Sequence, residues 1–377
     1  MQQINTFIKD HTAEMFRLLE SLCRLPAPSH HEEQRAAFCK EWLEAHGATG
    51  VYIDKALNVV FPLHCENSRE ITVLVAHTDT VFPDTEPMPY TDDGQIVRCP
   101  GVGDDTASLA VLLMTASYYI ESGNIPANGI LFVANSCEEG LGNLKGTRQL
   151  FADYAGRIGQ FISFDSRIGI IHDRCVGSHR YEVEVCTEGG HSWSAFGKKN
   201  AIAALCDIVR DIYAINLPQK TGSKVTYNVG HISGGTSVNT IAQSARMLCE
   251  YRSDDEELLA LMQKEFEGIF RKAQTGEVRV TVKRIGERPC ARDVDPQKID
   301  RLRLLCTAVT EEVTKSAVQY TSASTDCNIP LSVGVPAVCI GVYAGGGAHT
   351  REEWIEKKSL ITGLEIAIKT ALRATEA

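Results

Sequence analysis

Within 377 residues there is no CxxC pair, no internal repeat, no low-complexity stretch and no long apolar run. The first absence excludes a zinc ribbon. The last excludes a bilayer-spanning helix, which needs roughly 18 apolar residues. Positive charge is also in deficit: 38 Lys and Arg face 48 Asp and Glu, a net charge of −10. That balance argues against nucleic acid or an anionic membrane as the main partner. The opening stretch, MQQINTFIKDHTAEMFRLLESL, is an amphipathic pattern with acids in it, neither a secretory signal nor a transit peptide, so a cytoplasmic protein is expected. Cysteine, in contrast, is plentiful, with thirteen residues. Several fall on apolar stripes, such as Cys206 in AIAALCDIV and Cys339 in PAVCIG. They read as small buried hydrophobes in a reducing compartment.

Hydrophobic residues at 44% and charged residues at 23% describe a globular chain, long enough for two domains. Helical spacing covers 4–24 and 30–47, with PAPSHHEE between them offering Ser29 as a cap. Short strand candidates follow at 51–53 and 58–62. ITVLVA (71–76), ILFVAN (130–135) and FISF (161–164) read as buried strands, and 105–121 as a helix. Strands alternating with helices predict an α/β fold with a mixed sheet flanked by helices. From about 178 the texture changes to alternating strands and two helices in the order β-α-β-β-α-β, the second helix capped by Ser253 or Asp254. The expected organisation is therefore a domain of 1–177 and 287–377, interrupted by an inserted domain of 178–286. A helix near 296–314, the strand PAVCIG and a terminal helix 359–374 complete the first domain.

The chemistry-bearing residues stand just past carboxyl ends of strands, where open α/β sheets place their sites. His77 and Asp79 follow the first buried strand in AHTDTVFP. A histidine there can present a ring nitrogen to a metal, and an acid behind the ring can fix its tautomer. The plainer reading is a strand-end turn capped by Asp79. Asp104-Asp105 in GVGDDTAS follows a glycine-rich turn, and capping of a helix N-terminus explains one of the two acids. The functional reading makes Asp104 a carboxylate bridging two cations. In CEEGLG, Glu139 can ligate a metal while Glu138 reaches a bound water, the division of labour that amide hydrolysis needs. Cys137 beside them is a rival nucleophile, disfavoured because neighbouring acids raise a thiol's pKa. His349 in GGGAHTREEW and His191 in EGGHSW each follow glycines, and either alone reads as a surface or structural residue. Reading GVG as a nucleotide loop fails on two counts. The GxGxxG spacing is missing, and acids sit where a pyrophosphate would. Taken together, two histidines and several acids on convergent loops match the ligands of hydrolytic zinc sites.

HTDTVFP, GVGDDTAS, CEEGLGNLKGTR, FDSR and GGGAHTREEW, in this order, resemble the signature of the co-catalytic dizinc peptidases and deacylases. That family includes peptidase T, glutamate carboxypeptidase, acetylornithine deacetylase and succinyl-diaminopimelate desuccinylase. The resemblance covers nearly the whole chain, inserted domain included. It implies two zinc ions, with cobalt or manganese as acceptable substitutes. His77 and Asp165 would hold one ion, Glu139 and His349 the other, and Asp104 would bridge them. It further implies that Asp79 orients His77, that Glu138 is general base and then acid, and that the Asp104-Asp105 peptide is cis. The inserted domain would be a lid and homodimerisation domain, with His191 reaching the oxyanion in a partner's site. Asn239, Arg252 and Arg288 would lie near the substrate, Arg288 able to meet a carboxylate. Asp at position 165, together with EYRS, resembles the aminopeptidase side of the family.

The expected function is thus hydrolysis of an amide in a short peptide, of aminopeptidase or di/tripeptidase type, through a metal-activated water with Glu138 moving the proton. The alternatives are an N-acyl-amino-acid deacylase or carboxypeptidase of the same family, and a metal-containing binding protein on the same fold. The presence of Glu138 argues against the binding protein, because a structural metal site needs no proton shuttle.

Overall fold

In a strand, successive side chains point to opposite faces, and the run Ile71–His77 uses both. Leu74 and Ala76 enter one apolar cluster, while Ile71, Val73 and Val75 enter another. Both faces of this strand are therefore covered, in keeping with a sequence that is apolar but for Thr72 up to His77. The computed structural model describes residues 2–66 and 68–376, and it places this strand at the centre of an eight-stranded mixed sheet. Its neighbours are Gly129–Asn135 and Ile158–Phe164, both parallel to it, and Ala337–Ile340 runs parallel to Ile158–Phe164. Four consecutive strands thus present their carboxyl ends along one edge. Val59–Leu63 and Tyr52–Ile53 extend the sheet antiparallel on one side. Ile170–Cys175 and Gln319–Ala323 extend it on the other.

Helices Gln2–Cys23, Glu33–Ala45, Ser108–Ser122, Pro296–Thr314 and Ser359–Thr375 cover the first face. Lys145–Asp153 and Asn328–Ser332 contribute Leu150 and Leu331 to the second. Ser108–Ser122 is buried nearly all round, in keeping with its sequence SLAVLLMTASYY. Leu109, Leu112, Leu113 and Met114 each stabilise it by roughly 1.5–3 kcal/mol. That anchorage fixes the loop in front of it, which carries Asp104. Gly363 fixes a second loop. A Cβ there would lie 1.6 Å from the Val342 carbonyl, so only glycine lets the terminal helix pack against the segment leading to His349.

The chain divides into two compact units, one running up to Cys175 and resuming at Arg292, the other Val176–Ala291. The second unit is a four-stranded antiparallel sheet in the order Val225–Gly234, Ser244–Ser253, Gly177–Cys186, Arg279–Arg288. Helices Ala201–Tyr213 and Glu256–Ala273 bury Leu205, Ile208, Met262 and Phe266 with Val183, Val185, Met247 and Tyr251. No helix among the described residues is long and apolar enough to cross a membrane.

Several local expectations change. The helix read from 105 begins at Ser108, because residues 102–107 form an irregular wide turn in which Asp104 and Asp105 have non-helical backbones. Ser29 caps nothing: the second helix starts after Glu32, and the Ser29 hydroxyl is drawn 50 residues away to Asp79. The long helix of the second unit is capped by Asp255, whose carboxylate accepts the Leu258 N–H at 3.0 Å, rather than by Ser253 or Asp254. None of the thirteen cysteines is in a disulfide and eleven are buried, but Cys206 is exposed. The buried stripe of its helix is Ala201, Leu205, Ile208 and Ile212. Cys206 stands one residue, about 100°, off that stripe.

Candidate metal centre

Convergence begins at His77, the last residue of its strand and only 1% exposed. Its Nε2 stands 2.9 Å from Asp104 Oδ1. The other Asp104 oxygen is 3.1 Å from His349 Nε2, and that nitrogen is also 3.1 Å from Glu139 Oε1. Asp104 therefore lies between two imidazoles, the position a bridging ligand occupies. His77, Asp104 and Glu139 offer ligand atoms within 4.8 Å of one another, and so do His77, Asp105 and Asp165. Three of the four parallel strands supply His77, Glu139 and Asp165, and the Asp104 loop and the His349 hairpin supply the rest. Those two are joined by a small sheet in which Trp354–Glu356 pairs with Ile96–Arg98. His349 holds a left-handed backbone, φ 65°, and the Asp104-Asp105 peptide is cis.

The electrostatics show why this cluster suits divalent cations. Burial pushes the Asp165 and Asp105 carboxyls well above the usual range, with neighbouring acids adding to the effect. Glu139 rises to about 7, from burial first and the Asp104 charge second. For Asp104, burial is outweighed by hydrogen bonds from His349 and His77, which hold it well below the usual range. His349 is pushed up to about 10 by Asp104 and Glu139. A buried site with this many carboxylates needs compensating positive charge, which imidazolium or divalent cations can supply. Asp105 Oδ1 is a buried oxygen with no hydrogen bond among the described residues, and Glu139 Oε1, also buried, faces the His349 ring at 3.1 Å. Imidazole and carboxylate donors with open oxygens fit two divalent ions.

Behind the cluster, buried carboxylates grip the backbone of the loops that carry these residues. Asp79 faces the His77 ring, its carbonyl accepting from Nδ1 at 3.0 Å and its carboxylate 3.4 Å away. More of its work is elsewhere: Oδ1 accepts the Glu138 N–H at 2.9 Å, and Oδ2 accepts the Glu139 N–H at 3.0 Å and the Ser29 hydroxyl at 2.7 Å. Asp105 Oδ2 accepts the His77 N–H at 3.0 Å, so it is more than a neighbour at a helix start. Glu32 accepts the Cys137 N–H at 3.0 Å and lies 3.2 Å from its sulfur. Burial and Glu32 push that thiol far up, which makes Cys137 a poor nucleophile. Asp326 accepts from Asn135 Nδ2 at 2.8 Å and from Thr147; burial, then Glu138, lifts it to about 7. Glu353 accepts the N–H groups of Gly101, Gly103 and Asp104 at 2.7, 2.9 and 2.8 Å. With those amides engaged, GVG has none of the three to offer a phosphate.

Sequence reasoning missed Glu32, Glu353 and Asp326. Glu32 and Glu353 each belong to an acidic pair of which one member is buried and the other exposed, but nothing local in the sequence says which. Of the residues expected near substrate, His191 and Asn239 come together in the second unit. Gly190–His191 pairs with Thr240–Ile241, and the Ser192 N–H donates to the Asn239 carbonyl at 2.9 Å. Arg252 and Arg288 both stand opposite Ser178 in neighbouring strands.

A family model described as Peptidase family M20/M25/M40 matches residues 73–373. A Peptidase M20 domain-containing protein of Schizosaccharomyces pombe is 25% identical over 243 residues, covering 62% of this chain and 58% of that protein. A probable carboxypeptidase of Aspergillus clavatus is 25% identical over 252 residues, covering 60% and 54%. The chain thus spans just over half the length of these two curated relatives. The crystal structure of a tripeptidase from Staphylococcus aureus shares the fold, with a TM-score of 0.75 at 20% identity over 97% of this chain and 98% of that one.

Proposed function

We propose, from the fact that the chain belongs to peptidase family M20/M25/M40, that it hydrolyses an amide bond in a short peptide with the help of two divalent cations, zinc by preference. The observation that carries this reading is the His77–Asp104–His349–Glu139 constellation with one further buried carboxylate, Glu138, beside it. His77 and Asp165 are assigned to one ion, Glu139 and His349 to the other, and Asp104 to both. Such ions supply Lewis acidity, lowering the pKa of a water and polarising the scissile carbonyl. Glu138 takes the proton of the attacking water and returns it to the leaving amine. Asp79 keeps Glu138 in place through its backbone N–H and keeps the His77 ring oriented. His191 from a partner subunit donates to the developing oxyanion, and Asn239, Arg252 and Arg288 contact the substrate. This gives Val176–Ala291 the role of lid and dimerisation unit.

Replacing Glu138 with alanine tests the assignment. The variant should retain its metal and lose turnover by about 10²–10⁴-fold, measured on the best substrate from a screen of di- and tripeptides alongside N-acyl amino acids. Wild-type turnover in that variant removes Glu138 from the mechanism. Cleavage confined to N-acyl amino acids moves the reading to a deacylase, and bound metal with no turnover on any substrate moves it to a binding protein.

A further inference from the structure

We infer that Glu353 is a positioning residue that sets the bridging aspartate and His349 at their spacing. This rests on the metal-centre reading above. Glu353 is 1% exposed and lies four residues past His349, at the root of the same hairpin. Its side chain reaches about 250 residues back along the chain. Oε2 accepts the Gly101 N–H, and Oε1 accepts those of Gly103 and Asp104. Its own carbonyl accepts the Cys99 N–H at 3.2 Å. Trp354, Ile355 and Glu356 continue the contact as a ladder against Arg98, Val97 and Ile96. The hairpin that carries one imidazole is thereby fastened to the turn that carries the shared carboxylate.

The turn is shaped for this carboxylate. A Cβ on Gly103 would stand 2.9 Å from Glu353 Oε1 and 2.8 Å from the Tyr343 ring, so any larger residue drives the acid away. Residues 102–107 make no regular helix, and the Gly101, Gly103 and Asp104 amides find their acceptor in Glu353. A neutral glutamine keeps the shape but carries one acceptor. With that oxygen on Gly103 and Asp104, its NH2 faces the Gly101 donor, and the Asp104 backbone is free to shift. Groups that hold metal ligands in place are worth about 10–100-fold in metal affinity or activity.

The test is a calorimetric titration of the metal-free full chain with Zn2+, comparing wild type, Glu353→Gln and the exposed neighbour Glu352→Gln, with circular dichroism to confirm folding. Wild type and Glu352→Gln should take up two ions. Glu353→Gln should lose about 10–100-fold in the weaker of the two affinities, with kcat falling more than KM rises and partly recovering at saturating Zn2+. If Glu353→Gln does not fold, Gly103→Ala takes its place with the same expectation. Equal affinities for both ions in wild type and variant overturn the inference, even if the melting temperature falls. A wild-type chain that takes up no divalent ion overturns the metal-centre reading itself.

Discussion

Replacing Asp79 with asparagine preserves shape and removes one charge, and the structure sets the size of the effect. Asp79 is fully buried. Its Oδ1 serves the Glu138 N–H, while Oδ2 serves the Glu139 N–H and the Ser29 hydroxyl. An asparagine has one acceptor. Turned to satisfy the pair at Oδ2, it points its NH2 at the Glu138 N–H and leaves that buried donor without a partner. Such an orphan costs about 1–3 kcal/mol. The lost charge also faces His77, so the ring orientation loosens, and metal affinity or turnover should fall by about 10–100-fold. Urea unfolding with Zn2+ present, metal titration and steady-state kinetics read the three quantities. Ser29→Ala is the control: it removes one hydroxyl donor and leaves both amides satisfied, so it should cost no more than about 1.5 kcal/mol. Asp79→Asn within about 0.5 kcal/mol of wild type, a range typical of surface changes, with unchanged turnover would refute the argument.

Chelation should lower the melting midpoint reversibly, because ions that bind only the folded chain stabilise it. At a hundredfold excess over Kd the difference is about 2.7 kcal/mol, and a melt indifferent to chelator contradicts a native metal centre. Acid stability reports a separate device, the pairing of Glu312 with Lys369 at 2.9 Å and with Arg373, which ties Pro296–Thr314 to the terminal helix. Those partners hold Glu312 at about 2 rather than 4.5. A carboxyl depressed in the folded state stabilises above its unfolded pKa, and the gain is lost as pH falls through the folded value. Wild type should therefore lose its stability advantage over Glu312→Gln between about pH 4.5 and 2, seen as urea midpoints that converge with falling pH. Parallel midpoints throughout would show that the pair contributes nothing.

The sequence by itself determined the central strands, the chemistry-bearing residues at their ends and the β-α-β-β-α-β texture of the second unit. These are local facts: a period of two or 3.6 and an acid or imidazole after an apolar run are written in neighbouring residues. What only the tertiary structure decided is which atoms serve which. Ser29 looked like a cap and instead bonds Asp79. Asp79 looked like a partner for one ring, and beside facing that ring it holds two amides of the Glu138–Glu139 loop. Asp105 belonged to a pair that helix capping could explain, and Glu32 and Glu353 carried no local signal; the three hold the backbones of His77, Cys137 and Asp104. These partners lie up to about 250 residues apart, so no local period encodes them. They are fixed because a buried amide must find an acceptor wherever the closed fold places one.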